Sequence, residues 1–419
     1  MFNIPRGTRD FSPVDMEKRK FVQKKMSSTF ESFGYKEIQT PTFETLELFT
    51  AKSGESIIDE LYSFSDKSGR ELALRPELTA PVMRFYVDKL QMEPKPLKLF
   101  YFGNCYRYDR PQKGRYREFT QMGCELIGAS TEEAIAELIA LAYNAVINTG
   151  LKNINLRVGN LDFLKNQFEK NLSDFFPNSF NELFRLIDKE DFDEIKNKFN
   201  EYNVPNNNQK NFMGFLNINK IEDLSNYIEN NNFKRYKEIF NLLKNEFSIL
   251  NIIPDMKIAR GLDYYKGIVF EIDAPILGAE KQLCGGGEYD LVESFGGKDV
   301  PTSGFALGFD RIILALETEN FSFPVVKTDV YIVPVNEDMV RKSIEIAQIL
   351  RNEGILTELD LLKRGIGKSL KYANSKNAEK VIFVGPDEIK NDSVNVKDMK
   401  SGDQKLIKIN NLAKNLKNN

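Results

Sequence analysis

The stretch from Phe163 to Pro254 contains no alanine, one valine (Val204) and one glycine (Gly214), and it is rich in Asn, Phe and Lys. Its apolar residues recur at helical spacing: Phe180, Leu183, Phe184 and Ile187, then Tyr236, Ile239, Phe240 and Leu243. Such a segment reads as a helical insertion whose phenylalanine stripes form core. Asn206-Asn207-Asn208 and Asn230-Asn231-Asn232 read as turns between its helices. The flanks, 1–162 and 255–323, carry strand-like runs punctuated by Gly and Pro. A helix is expected to open at Ser12, where Ser12 caps, Pro13 suits the first turn and Asp15 suits its positive end. Gly34 ends it. Beyond Pro324 two buried-strand runs, Val330–Val333 and Val381–Val384, alternate with helical patterns over Glu337–Glu353 and Ile366–Asn377. That alternation predicts a small α/β domain over 324–419, with helices on both sheet faces.

The chain contains no histidine and no tryptophan among its 419 residues. Without histidine, a Ser-His or Cys-His nucleophile, a His general base and a His-ligated zinc are all excluded. Carboxylates, arginines, tyrosines, lysines and bound metal must carry any chemistry. Three cysteines, Cys105, Cys124 and Cys284, lack CxxC spacing and read as buried thiols rather than metal ligands or disulfides. The most apolar helix, Ala134 to Ile147, is too short to span a membrane. The segment Met1–Arg6 resembles no signal peptide, so a cytoplasmic location is expected. From Lys327 onward 17 Lys+Arg stand against 13 Asp+Glu, in a chain of net charge −3. A basic C-terminal module on an acidic body suits a polyanionic partner.

Four peptides concentrate the chemistry. Arg260-Gly261-Leu262-Asp263-Tyr264-Tyr265 places a forked cation, a carboxylate and two amphipathic rings in six residues. The strand Ile268–Ile272 follows, and then Gly285-Gly286-Gly287-Glu288-Tyr289-Asp290. A β-hairpin is expected from Leu99 to Ile127, with Arg107 on its outgoing strand and a long basic loop from Arg110 to Arg117. Strand alternation puts Gln121, Gly123 and Glu125 of the return strand on one face, and Gly123 is expected to leave room for a ligand there. Leu74–Thr79 reads as a loop presenting Glu77 and Thr79. Gly304–Arg311 runs from a strand into a helix, which sets Arg311 at a junction that favours anions. No P-loop signature occurs.

Taken together, these peptides resemble those of the class II histidyl-tRNA synthetases, end to end and nearest the archaeal-type branch. Arg107–Glu125 is similar to class II motif 2, Gly304–Arg311 to motif 3, and Gly34–Phe43 more weakly to the dimer-forming motif 1. Arg260–Tyr265 and Gly285–Asp290 resemble the two peptides that mark the histidine-specific family. The resemblance implies an α+β catalytic domain built on an antiparallel sheet (1–162 and 255–323). It also implies a helical insertion (163–254) and a C-terminal α/β anticodon-binding domain (324–419). It implies ATP and Mg²⁺ as cofactors, L-histidine and its tRNA as partners, and a homodimer with no membrane association.

The same resemblance implies residue roles. Arg107 would grip the α-phosphate and the substrate carboxylate, Arg311 the γ-phosphate, and Arg260 would add a catalytic cation. Glu77 and Thr79 would receive the substrate amino group, with Gln121 near it. Glu125 and Tyr264 would bond the imidazole, and Tyr265 and Tyr289 would line its pocket. Gln112 and Arg117 would approach the tRNA acceptor end. Departures occur at Glu288, where the family usually has Arg, at Leu78 in place of a common Gly, and at Tyr108 and Thr120, which are often His. The alternative is the regulatory paralogue of ATP phosphoribosyltransferase, which shares the fold but typically lacks the anticodon domain and has degenerate motifs. Prolyl or threonyl enzymes and a noncatalytic tRNA-binding module fit the peptides less well.

Overall fold

A capping box opens the first helix, Pro13–Ser32: the Ser12 hydroxyl accepts from the Asp15 N–H, and the Asp15 carboxylate accepts from the Ser12 N–H at 3.0 Å. Gly34 ends the helix with φ +82°, and its chain then runs into the short strand Lys36–Glu37. The computed structural model describes residues 2–53, 55–176, 180–228, 230–259, 264–325 and 327–417. These residues form two compact units, 1–323 and 324–419.

The first unit is organised by an eight-stranded sheet. Its order is Lys36–Glu37, Leu97–Tyr106, Glu118–Ile127, Thr302–Gly308, Gln282–Tyr289, Tyr265–Asp273, Asn155–Asn160 and Ile252–Pro254. The inner pairings are all antiparallel, and only the two short outermost strands pair in parallel. The expected hairpin is its Leu97–Tyr106 and Glu118–Ile127 pair, with Tyr101 opposite Gly123 and Leu99 opposite Glu125. The apolar helix Glu132–Ile147, capped by Thr131, packs into the main core through Ile135, Leu138, Ile139, Ala142 and Val146. Its length suits a core helix. Among the described residues no helix is long and apolar enough to cross a membrane. A separate three-stranded sheet pairs Phe43–Thr45 and Ser63–Ser65 with Glu71–Leu74.

The Phe-rich segment is helical, as Leu161–Asn171, Phe180–Asp188, Phe192–Glu201, Asn206–Leu216 and Asn230–Asn245, but its expected end is not: Ile252–Pro254 returns to the sheet as an edge strand. Its first helix leaves the sheet directly, because the Asn160 side chain accepts from the N–H groups of Asp162 and Phe163. The two asparagine triplets do not form turns. Each lies in the first turn of a helix, where Asn at the entry is tolerated although it is a poor interior helix former. Phe163, Phe184, Phe199 and Phe212 are buried and join one core cluster with the sheet residues Leu156, Val158, Phe270 and Phe305.

The second unit is a five-stranded sheet ordered Thr357–Leu359, Val330–Pro334, Lys380–Val384, Ser393–Asp398 and Gln404–Lys408. The first three strands are parallel and the last two antiparallel to their neighbours. Alternation along Val330–Pro334 sends Val330 and Ile332 to the helix Val340–Asn352, and Tyr331 and Val333 to the helix Ile366–Ser375. Both faces are therefore covered, as a parallel strand set requires. The first of these helices starts later than the periodicity predicts, because Asn336 caps a tight turn over Glu337–Met339.

Candidate active site

Glu125 sits in mid-strand with 1% of its surface exposed. The Tyr101 hydroxyl donates to one carboxylate oxygen at 3.1 Å, and the Tyr289 hydroxyl makes a short bond to the other. Burial pushes the Glu125 carboxyl up to about 8, against the opposing pull of the Tyr289, Thr79 and Tyr101 hydroxyls. The rings of Tyr264 and Tyr265 lie 4.6 Å apart, and both lie within 6.2 Å of the Tyr289 ring. Strand register explains the assembly: Tyr289 pairs with Tyr265, and Glu125 with Gly304. A side chain at Gly304 would collide with the Glu125 carboxylate, which accounts for one glycine of the glycine-rich junction. The space expected over Gly123 is not free. Tyr101 crosses from the neighbouring strand and fills it, with its hydroxyl 2.7 Å from where a Cβ on Gly123 would stand. Tyr101 is thus part of the site although sequence reasoning passed over it.

A titrating buried carboxyl has a consequence for stability. The unfolded group ionises near its ordinary 4.5 and the folded one near 8, so the unfolded state loses its proton first. Glu125 therefore favours folding below about pH 4.5, and that contribution is lost as pH rises through 8. Glu125→Gln should gain on the wild type by on the order of a few kcal/mol between pH 5 and 8. Urea midpoints at the two pH values check this. A constant difference would place the carboxyl's titration elsewhere.

Glu77 and Thr79 meet at the start of the helix Thr79–Phe85, where the Glu77 carboxylate accepts from the N–H groups of Thr79 (2.7 Å) and Ala80 (3.1 Å). Leu78 between them is buried in a small core with Tyr101 and Tyr289, so the larger side chain expected to depart from a common Gly is accommodated. Arg107 follows the outgoing hairpin strand. Its Nε donates to the Pro76 carbonyl at 2.9 Å, and its guanidinium lies 5.1 Å from the Phe119 ring centre. Gln121 accepts from the Cys105 thiol at 3.3 Å and stands opposite Gly308 in the register.

Arg311 lies in the first turn of the helix Phe309–Thr318. It donates to the Gly114 carbonyl at 3.1 Å and to the Gln282 carbonyl at 2.9 Å, and it forms a short ion pair with Glu280. Glu280 also accepts from Gln112 at 2.6 Å, so the hairpin loop is docked onto the Arg311 helix. Nothing in the sequence pattern marks Glu280. Arg117 is held otherwise, donating to the Asp109 carbonyl with its guanidinium 4.0 Å from the Tyr108 ring centre. Thr120, another of the expected departures, accepts from Arg19 and donates to Asn104. Arg260 lies outside the described residues. All three cysteines are buried and free.

Glu288 pairs with a cation from the helical insertion. Arg235, on the helix Asn230–Asn245, grips both its oxygens at 3.0 and 2.6 Å. The charge reversal at Glu288 is thus answered by a local arginine. Glu288→Arg would set two guanidinium groups together and should destabilise the fold by roughly 2 kcal/mol or more. Losing a fully buried pair costs about 3–5 kcal/mol, and Arg235 is still partly exposed. Chemical denaturation reads this directly, and an unchanged midpoint would mean that the pair contributes nothing.

An antiparallel sheet that presents a basic hairpin loop beside a glycine-rich strand-to-helix junction is the catalytic architecture of a class II aminoacyl-tRNA synthetase. A family model described as histidyl-tRNA synthetase matches residues 7–312, and one described as an anticodon binding domain matches 329–419. A curated "histidine–tRNA ligase" of Methanocaldococcus jannaschii is 45% identical, over 99% of each chain. The solved apo histidyl-tRNA synthetase of S. aureus aligns over the whole of both chains with TM-score 0.79 and 29% identity. A Bacillus halodurans structure, described as an ATP phosphoribosyltransferase regulatory subunit/histidyl-tRNA synthetase, reaches TM-score 0.77 at 26% identity. It covers 91% of this chain and 98% of its own. The chain belongs to the histidyl-tRNA synthetase family.

Proposed function

We propose that the chain activates L-histidine with ATP and transfers it to the 3′ end of its tRNA. The histidine carboxylate attacks the ATP α-phosphorus and expels pyrophosphate. A terminal ribose hydroxyl of the tRNA then attacks the carbonyl of the adenylate and releases AMP. The observation that carries the histidine assignment is the buried Glu125–Tyr101–Tyr289 cluster beside Tyr264 and Tyr265. A ring N–H can add a further bond to a Glu125 oxygen that already accepts from a tyrosine, and an apolar analogue would forgo that bond.

Glu77 and Thr79 receive the substrate amino group, with Gln121 nearby, and Tyr264 meets the second ring nitrogen. Arg107 holds the substrate carboxylate and the α-phosphate, Arg311 the γ-phosphate, and Arg260 adds positive charge at the reacting phosphorus. These cations stabilise the charge that develops during displacement, a task that requires no histidine. Gln112 and Arg117 face the acceptor end, and 324–419 binds the anticodon arm.

A Mg²⁺ that arrives on ATP keeps phosphate and water ligands and needs only one or two carboxylates from the protein. Glu280, beside Arg311, offers one. When bound, Mg²⁺ neutralises phosphate charge. The family likeness further supports a cytoplasmic homodimer, which sedimentation of the purified protein tests for assembly.

Histidine-dependent exchange of pyrophosphate into ATP tests the reading. It is expected with histidine alone among the amino acids. No exchange would favour the noncatalytic regulatory paralogue.

A further inference from the structure

We propose that Arg235 is a positioning residue for the amino-acid pocket, acting through Glu288 from the helical insertion. The inference rests on the assignment of Glu125 and Tyr289 to histidine binding. Arg235 and Glu288 are 53 residues apart in sequence, on different elements. The Glu288 side chain is 10% exposed, and the guanidinium meets its carboxylate with two parallel bonds. Arg235 also donates to the Ser130 carbonyl at 2.9 Å, just before the helix Glu132–Ile147. The neighbouring Tyr236 is fully buried and donates to the Val158 carbonyl at 2.7 Å. Two consecutive residues thus fix one turn of the insertion helix to the sheet.

Glu288 does more than accept this fork. The pairing of Gln282–Tyr289 with Tyr265–Asp273 is irregular between Gly287 and Glu288. There the Ile268 N–H donates to the Glu288 carboxylate at 2.8 Å, so the side chain replaces a ladder bond at the bulge. Gly267 is required beside it: its φ is +53°, and a Cβ would come within 2.5 Å of the same carboxylate oxygen. The next residue is Tyr289. Strand alternation sends Glu288 to the insertion and Tyr289 to the opposite side, where its hydroxyl holds Glu125. Arg235 therefore sets, from behind, the backbone position from which Tyr289 reaches the pocket. A plain apolar contact would attach the helix as well, without fixing direction. The forked pair fixes both distance and orientation.

The test uses the full chain and separates histidine KM, ATP KM and kcat in pyrophosphate exchange. Arg235→Met should raise histidine KM by roughly tenfold and leave ATP KM within about threefold, since a displaced pocket group weakens one substrate only. Glu288→Gln keeps an acceptor for Ile268 and should raise histidine KM alone. The double variant should be no worse than the poorer single one, because both act through one contact. Arg235→Lys, which keeps the charge and loses the fork, should fall between wild type and Arg235→Met. It also serves as the test if the Met variant does not fold.

The proposal is overturned if folded Arg235→Met or Arg235→Lys leaves histidine KM within about twofold of wild type. It is equally overturned if both substrates' KM values rise together, or if the two single effects multiply in the double variant. A wild-type protein without histidine-dependent exchange would instead remove the functional reading beneath it.

Discussion

Arg107→Ala should lower kcat for adenylate formation by roughly 10²-fold or more, the usual cost of removing a preorganised electrostatic donor. The residue is held on two sides before any ligand arrives, by the Pro76 carbonyl and the Phe119 ring. Pro76 immediately precedes Glu77, so the same loop aims the cation and the proposed amino-group acceptor. Arg107→Lys should recover little. An ammonium ion cannot bond two oxygens as a planar fork, and it would lose the Nε contact that sets direction. Single-turnover formation of histidyl-adenylate at saturating ATP and histidine isolates the chemical step. A normal rate in the Ala variant would remove Arg107 from the mechanism.

Ending the chain at Phe323 should separate the two half-reactions. The cut falls between the two compact units, and 1–323 keeps the whole eight-stranded sheet and its own core. Pyrophosphate exchange should persist. tRNA charging should lose roughly 10²-fold or more in kcat/KM, because one of two linked contacts with the same tRNA is gone. The removed part carries net positive charge, so the loss should shrink as salt is raised and the full-length chain weakens. A circular-dichroism melt establishes that the fragment is folded. Equal loss of both activities in a folded fragment would contradict the assignment of anticodon binding to 324–419.

Where local pattern decides structure, the sequence was legible. The hairpin followed from its aromatic strands and turn-rich loop, and Glu125 was placed on its face by period-two alternation alone. Ser12, Pro13 and Asp15 announced the first helix. Across-strand and between-element contacts were not legible. Tyr101 reaches Glu125 only because the register sets it opposite Gly123, and register depends on partners that lie far away in the chain. The room inferred over Gly123 was therefore assigned to a ligand when a tyrosine fills it. Arg235 stood within a Lys- and Asn-rich stretch that gave it no distinction. Glu280, which joins Gln112 to Arg311, lies in a short turn with no periodicity to read. The asparagine triplets misled for a related reason: the same side chains suit turns and helix entries, and only the packing that follows decides between them.

The shared core of insertion and sheet bears on how the first unit opens. Phe163 and Tyr236 pack edge to face at 5.5 Å, and both belong to the cluster that holds Val158 and Phe270 of the sheet. No apolar boundary separates the two parts, so neither can melt without exposing the other. Amide protons of the helix Asn230–Asn245 should then exchange with deuterium at the same limiting free energy as those of the strand Tyr265–Asp273. Excising 163–254 would remove the edge strand Ile252–Pro254 and bare the apolar residues of that shared core, and the shortened protein should aggregate rather than survive as a smaller enzyme.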